Sequence, residues 1–281
     1  MKKFRKLIVL TLFLVLLIPC WMKKIYEYVE IHKLNTNIIQ SQEYREMNLN
    51  EKFIDYLQTS EKKGRDVALA LLETDFGYKS MRKSYKDSIF RQLEAKWKKY
   101  KAWYTLQSYS ESIWDEIKYF PIAESTTDDR LKVSYTNSWM TERTYGGKRG
   151  HEGTDLMANV NVPGLFPVVS ITDGTITSIG WLEKGGYRIG ITNESGAYFY
   201  YAHLDSYANI KEGDVVKAGD LLGFMGDTGY GTEGTTGMFP VHLHLGIYIY
   251  QDDKEISVNP YWILQYLEEH KVKCAYSSGD I

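Results

Sequence analysis

Cysteine is nearly missing from this sequence. Of its 281 residues only Cys20 and Cys274 carry a thiol, and Cys20 falls inside an apolar N-terminal run. The chain beyond residue 24 therefore holds no internal disulfide. A surplus of one charge is missing too: 34 basic residues stand against 36 acidic ones, a formal net charge of −2. That balance gives no basic stripe for nucleic acid, and nucleic acid is not expected as a partner. Histidine occurs six times. Glycine is scarce in the first half, where it occurs only at Gly64 and Gly77 before residue 120, yet 20 of the 23 glycines lie from Gly146 to Gly246. Against these gaps, 43% hydrophobic and 25% charged residues are what a folded chain with ample core requires.

The one long apolar run is "LIVLTLFLVLLIPCWM", Leu7 to Met22, between "MKKFRK" and Lys23-Lys24. Sixteen helical residues reach roughly 24 Å, slightly short of a bilayer core, and flanking lysines can snorkel to close the gap. A cleaved signal peptide is the rival, but no small-residue A-x-A site comes after the run, and Pro19 stands where a lipoprotein signal has a small residue. The expectation is an uncleaved single-pass anchor in a bacterial cell membrane. Lys2, Lys3, Arg5 and Lys6 outnumber Lys23 and Lys24, which keeps the N-terminus inside and the rest extracytoplasmic.

The glycine boundary divides the chain beyond the anchor. Ile89, Leu93, Trp97, Tyr100 and Tyr104 recur at helical spacing, with Ser88 as a candidate cap. "VALALLETDF" (67–76) reads as another helix ended by Gly77, and "KFIDYLQ" (52–58) as a helical start. After "KYFPIAESTTDDR" (118–130), which has the look of a linker, short β-rich runs alternate with turns, and Asp173-Gly174 is a hairpin signal. The expected fold is α+β. A membrane anchor (1–24), a helical region (25–120) and a domain edge (121–140) precede a mostly antiparallel β sandwich or barrel-like domain (141–265) and a tail (266–281).

Four of the six histidines lie in the β half: His151, His203, His242 and His244. In "FPVHLHLG" (239–246) a strand puts His242 and His244 on one face, because strand side chains alternate. "GHEGTD" (150–155) adds His151 and Asp155; Gly150 and Gly153 argue against the helix that an H-E-x-x-H zinc motif needs. Singly, each has a bland reading as surface or as a satisfied core histidine. Together, four histidines and an aspartate from three turns suit a divalent metal, zinc above all. Five candidates exceed the three protein ligands of an open catalytic site, leaving two for proton transfer and charge stabilisation.

"HEGTD", "YAHL", "IKEGDVVKAGDLLGFMGDTG" and "HLHLG", in this order, resemble the lysostaphin-type, LytM-like zinc metallopeptidases over about Thr141 to Tyr261. The resemblance implies a zinc metalloendopeptidase of bacterial peptidoglycan, with His151, Asp155 and His244 as zinc ligands. It implies catalytic roles for His203 and His242, and stem peptides or cross-bridges of the wall as partners. The segment "TEGTTGMF" lengthens the usual spacing before H-x-H and is expected to form a groove rim; Gly246 stands where many relatives have a larger polar residue. Two other classes compete. A catalytically silent or latent scaffold binding wall or a partner protein is one, with "SYTNSWMTERTYGG" available to cover the groove. The other is a carrier-like β domain, which leaves the histidines unexplained. Nothing in the sequence fixes the oligomeric state or the bond cleaved.

Overall fold

The computed structural model describes residues 2–80, 84–145 and 147–279. Met1 of the expected anchor, Gly146 and the last two residues of the expected tail lie outside them. The helices are α1 (Lys2–Lys33), α2 (Gln42–Arg45), α3 (Glu51–Leu57), α4 (Lys63–Glu73), α5 (Asp87–Trp97), α6 (Lys101–Trp114) and α7 (Tyr261–Leu267). Within α1, Lys3–Tyr26 is long and apolar enough to cross a membrane, with a mean hydropathy of 2.1 and none of that window buried.

Helices α2 and α3 start where short polar side chains can cap them. Ser41 accepts from the Tyr44 N–H at 3.2 Å and Asn50 from the Phe53 N–H at 3.1 Å. The series expected to run through residues 89–104 is two helices, α5 and α6, broken at Lys98–Tyr100. Helix α5 begins after Lys86, so Ser88 is not its cap. Gly77 lies beyond α4, in a turn where Asp75, Phe76 and Gly77 all have positive φ. Gly64 explains one of the few glycines in this half. A Cβ there would lie 2.3 Å from the Glu111 Cα, so α4 and α6 cross backbone against backbone. Trp103, Trp114, Tyr44, Phe53 and Phe90 of this half are fully buried.

The strands are β1 (Glu124–Ser125), β2 (Val133–Ser134), β3 (Glu142–Arg143), β4 (Arg149–Gly150), β5 (Thr154–Ala158), β6 (Pro167–Val169) and β7 (Gly174–Leu182). They continue with β8 (Gly186–Thr192), β9 (Tyr198–Tyr207), β10 (Val215–Val216), β11 (Leu221–Met225), β12 (His242–Gln251), β13 (Lys254–Val258) and β14 (Lys273–Cys274). The main sheet runs β10-β7-β8-β9-β12-β5-β2, with β11 joining β6 to β9 and β13 flanking β12. Every pair in it is antiparallel. The turn at Asp173-Gly174 joins β6 to β7, which pair with different strands, so it closes no hairpin. Around the domain edge, Val169 N–H donates to Pro121 O at 2.8 Å, Ala123 N–H to Pro167 O at 3.1 Å, and β1 pairs in parallel with β14.

The two halves are tied by directed polar contacts. Arg45 of α2 donates through Nη2 to Ser257 Oγ at 2.7 Å and Glu152 Oε1 at 2.8 Å, and through Nε to Ser257 O at 3.0 Å. Asn193 Nδ2 donates to Ser112 O at 2.8 Å, and Tyr109 Oη to Tyr250 O at 2.9 Å. Glu152 sits between His151 and Gly153, so α2 braces the loop that carries part of the candidate site.

Candidate metal centre and active site

Strand alternation builds the floor of the site. On β12, Leu243, Leu245, Ile247 and Ile249 point into the core and are all but fully buried, so His242 and His244 share the opposite face. Antiparallel partners lie side by side on one face. His244 pairs with Asp155 of β5 on one side and Ala202 of β9 on the other; His242 pairs with Met157, and Gly246 with Tyr200. His151 comes from the loop after β4. A Cβ on Gly153 would fall 2.5 Å from His244 Cε1 and 2.6 Å from the Leu245 carbonyl oxygen, so a bare backbone is required behind that ring.

Three atoms then converge. His151 Nε2 lies 3.0 Å from Asp155 Oδ1 and 3.0 Å from His244 Nδ1, and His244 Nδ1 lies 2.9 Å from Asp155 Oδ1. The Ser138 hydroxyl and carbonyl lie 3.0 and 3.2 Å from His151 Nδ1; with the ring proton on Nδ1 facing that carbonyl, Nε2 turns a lone pair towards the other two. Lone pairs of two imidazoles and a carboxylate this close repel one another unless a proton or a cation sits among them. A tetrahedral zinc with bonds of 2.0–2.1 Å needs donor atoms about 3.3 Å apart. The N, N, O set is of the chemistry and spacing that zinc takes, and these residues could hold a metal ion.

His203 and His242 stand beside this group with rings 4.7 Å apart. Each turns Nδ1 to a carbonyl, Thr228 O at 2.7 Å and Pro240 O at 2.8 Å, which fixes the proton on Nδ1 and leaves Nε2 as the acceptor in the neutral ring. Burial, reinforced by the neighbouring His242 and His244, pushes the His203 pKa well below that of an ordinary histidine. Burial lowers His242 and His244 as well, against the pull of Asp155. For Asp155 burial acts to raise the pKa, but contacts with His151 and His244 outweigh it and hold the carboxyl well below the usual range.

His203 lies inside β9 at a bulge. Residues 202 and 203 oppose only Arg188 of β8, and His203 takes φ +63° with its N–H on Gly185 O at 2.8 Å. A left-handed histidine is uncommon backbone, held here by Thr228, which also takes the Tyr187 N–H and donates to Leu204 O.

All five expected residues line one cavity of about 330 Å³. Further residues complete it that the sequence alone does not single out. Phe239, at the end of "TEGTTGMF", packs edge-on against both His203 and His242. Tyr200 stands edge-on to His244, and Tyr145 stacks on Tyr230 at 4.1 Å across the rim. Arg143 Nη2 donates to Asp155 Oδ2 at 2.5 Å, and Arg149 and Lys184 also line the wall. The spacing of Tyr200 two residues before Ala202 is a readable signal; Arg143 and Arg149 sit in an aperiodic stretch that offers none. Gly246 leaves room that the ring of Tyr248 occupies.

Comparison with known proteins settles the family. Residues 29–116 match the LytM N-terminal domain and residues 149–260 match peptidase family M23. A crystal structure of a LytM protein from Ruminococcus gnavus is 52% identical, with a TM-score of 0.83 over 88% of this chain and 99% of that one. The chain belongs to peptidase family M23. The helical half, whose sequence motifs carry no resemblance of their own, is thus the region of the LytM N-terminal match. An L-Ala–D-Glu endopeptidase of Bacillus subtilis is 41% identical over 143 residues, 50% of this chain. The glycyl-glycine endopeptidase ALE-1 of Staphylococcus capitis is 42% identical over 108 residues, 36% of this chain. The chain spans 43% of the length of the first and 28% of the second. This is a family of peptidoglycan endopeptidases, and the M23 chain carries a His/Asp/His group able to bind a metal.

Proposed function

We propose that this chain is a membrane-anchored, zinc-dependent endopeptidase that hydrolyses peptide bonds in the stem peptides or cross-bridges of peptidoglycan. One observation carries the reading: His151 Nε2, Asp155 Oδ1 and His244 Nδ1 meet within 3.0 Å, on the wall of a cavity that His203 and His242 also line.

In this reading His151, Asp155 and His244 hold the ion. Zinc there supplies Lewis acidity towards the scissile carbonyl and towards attacking water. The chain's own residues do the rest. Arg143 occupies Asp155 Oδ2 and leaves Oδ1 to the metal side, while Ser138 fixes the His151 tautomer. His203 and His242, kept neutral by burial and held by carbonyls at Nδ1, present Nε2 as the proton acceptor. Either ring can take the water proton at Nε2 and pass that same proton to the leaving amine, returning to its neutral state. Phe239 covers both rings and limits water at that end of the cavity. Helix α1 anchors the chain with its N-terminus inside, and the catalytic half faces the wall.

The test is metal content and wall hydrolysis by the full chain in detergent, compared with His244→Ala. About one zinc per chain and peptide-bond cleavage, both lost in the variant, is the expected result. A folded, zinc-free chain that cleaves nothing, or a His244→Ala chain that still cleaves, overturns it.

One observation favours a latent form as the second reading. The stacked pair Tyr145–Tyr230 joins the β3–β4 segment to the opposite rim, and Arg143 reaches from the same segment to Asp155. Cleavage that appears only after Tyr145→Ala supports latency; equal rates in both chains exclude it.

A further inference from the structure

We infer that Arg45, the last residue of α2, is a positioning residue for the metal group: it holds the loop that carries His151 against the strands that carry His244. The inference rests on the metal reading of that site and gives the helical half a part in it.

The three residues of the group are not equally supported. Asp155 and His244 are cross-strand partners in the main sheet, so the β5–β12 ladder sets their separation. His151 lies in the loop after β4, which pairs with β3 in a separate two-stranded sheet. Its backbone is bonded to the neighbouring segment, His151 N–H to Thr141 O at 3.0 Å and Met140 N–H to His151 O at 2.9 Å. Its Nδ1 faces Ser138 of that same segment. A ligand carried on such a unit is placed only as accurately as the unit is docked.

Arg45 grips the unit at two points. Nη2 donates to Glu152 Oε1 at 2.8 Å, beside His151 in the chain, and the guanidinium carbon lies 5.7 Å from the ring centroid of Trp139, beside Ser138. The same side chain is fixed to the main sheet. Nη2 donates to Ser257 Oγ at 2.7 Å and Nε to Ser257 O at 3.0 Å, and Ser257 of β13 pairs with Tyr248 of β12, the strand of His244. Buried Asn259 repeats the tie, giving its N–H to Arg45 O at 2.8 Å and Nδ2 to Glu46 O and Asn137 Oδ1 at 3.1 Å each. A planar fork holds two partners at a set angle, which a lysine ammonium does not. Arg45 is not among the residues lining the cavity, so its effect reaches the metal through the loop. Glu152 is 46% exposed, so the pair adds little to stability; it sets where the loop lies.

The experiment compares the full chain in detergent with Arg45→Met, Arg45→Lys, Glu152→Ala and the double variant Arg45→Met/Glu152→Ala. Tyr109→Phe is the control, because it removes another hydrogen bond between the halves, to Tyr250 O near the far end of β12. Competition with a chelator reads zinc affinity, and the visible absorption of the cobalt(II) form reads ligand geometry, both without turnover. Arg45→Met is expected to lower zinc affinity about tenfold and to alter the cobalt spectrum, with Arg45→Lys and Glu152→Ala falling less. The double variant should fall no further than Arg45→Met, since Glu152 acts through Arg45. Tyr109→Phe should change neither reading. Unchanged zinc affinity in a folded Arg45→Met chain overturns the inference, or in Glu152→Ala should Arg45→Met not fold. An equal loss in Tyr109→Phe overturns it too, because the effect would then be a loosening of the whole contact between the halves. Hydrogen exchange of the Met140 and His151 amides in the metal-free chains gives a reading that needs no metal, expected to be faster in Arg45→Met and unchanged in Tyr109→Phe. An unaltered chain that takes up neither ion sinks the metal reading, and the exchange rates then decide alone whether Arg45 holds the loop.

Discussion

Each half of the molecule buries a cluster of charge, and the two are finished differently. In the helical half Arg65, 2% exposed, meets Asp66, which is fully buried. Asp66 Oδ1 takes the Arg65 Nε–H at 2.8 Å, and Oδ2 takes the hydroxyls of Tyr56 at 2.8 Å and Ser60 at 2.7 Å. Asp87 and Glu94 occupy what remains of the guanidinium. Each charged group in it faces a partner of opposite charge. In the β half, His151 Nε2, Asp155 Oδ1 and His244 Nδ1 crowd within 3.0 Å of one another, too many acceptors for the protons they share, and Arg149 Nε is a donor with no acceptor among the described residues. The first cluster is complete without a ligand and the second is not. Completeness of the hydrogen-bond inventory therefore separates a structural cluster from a site more sharply than burial does.

Removing one carboxylate from each cluster is the strongest way to break that comparison. Asp66→Ala strands a buried guanidinium and is expected to cost about 3–5 kcal/mol of stability. Asp155→Ala removes the acceptor shared by Arg143, His151 and His244, at a cavity that water can enter. In metal-free protein it should cost less than Asp66→Ala, because water can reach the donors left behind, while abolishing zinc binding and hydrolysis. Denaturant titration of metal-free chains, with metal analysis alongside, reads both. A metal-free Asp155→Ala chain as damaged as Asp66→Ala would make the second cluster structural after all.

A subtler break comes from behind the metal group. Gly153→Ala leaves all five polar side chains in place but puts a methyl against the His244 ring and the Leu245 carbonyl. The backbone contact cannot yield by a rotamer change, so His244 must shift. Zinc affinity should fall about 10–100-fold, as when a supporting group is removed from around a metal. Competition with a chelator measures it. Unchanged affinity would mean that the loop carrying Gly153 moves freely, against the bracing of its neighbour Glu152 by Arg45.

The five candidate residues that line the cavity are legible in the sequence and their supports are not, because each depends on something different. His242 and His244 are two apart in a strand, so periodicity alone puts them on one face. Their union with Asp155 depends on the register of β12 with β5, a non-local property that spacing does not encode. His203 is visible as a histidine but not as a left-handed bulge, because Gly185 and Thr228 impose that conformation from other strands. The anchor-like helix, the helical half and the antiparallel half are readable from a long apolar run, a 3.6-residue period and the glycine boundary. The split at Lys98–Tyr100 is hidden because the apolar series continues in phase across it. Arg143 and Arg149 become neighbours only once the β3–β4 hairpin closes.

The smallest expected effect concerns a third kind of charge, an exposed one at the seam between the halves. Asp173 accepts the Ala218 N–H at 2.8 Å, lies 3.0 Å from Lys118 Nζ and accepts from Lys217 Nζ at 3.2 Å. The backbone N–H first, then the Lys118 ammonium, lowers its pKa from the ordinary 3.8 to about 2. The folded state therefore favours the ionised carboxyl. Its contribution is whole above the unfolded value of 3.8 and is lost as pH falls through about 2. The side chain is 34% exposed, so solvent and salt screen the two lysines, and the contribution should stay under about 1 kcal/mol. Denaturant midpoints of the unaltered chain and Asp173→Asn should thus differ slightly at pH 6, converge towards pH 2, and lie closer throughout in high salt. A gap that widens on acidification would reverse the sign of the shift. A gap that ignores salt would instead assign the contribution to the Ala218 N–H alone, making this surface carboxylate a turn-closing acceptor and not a tie to Lys118.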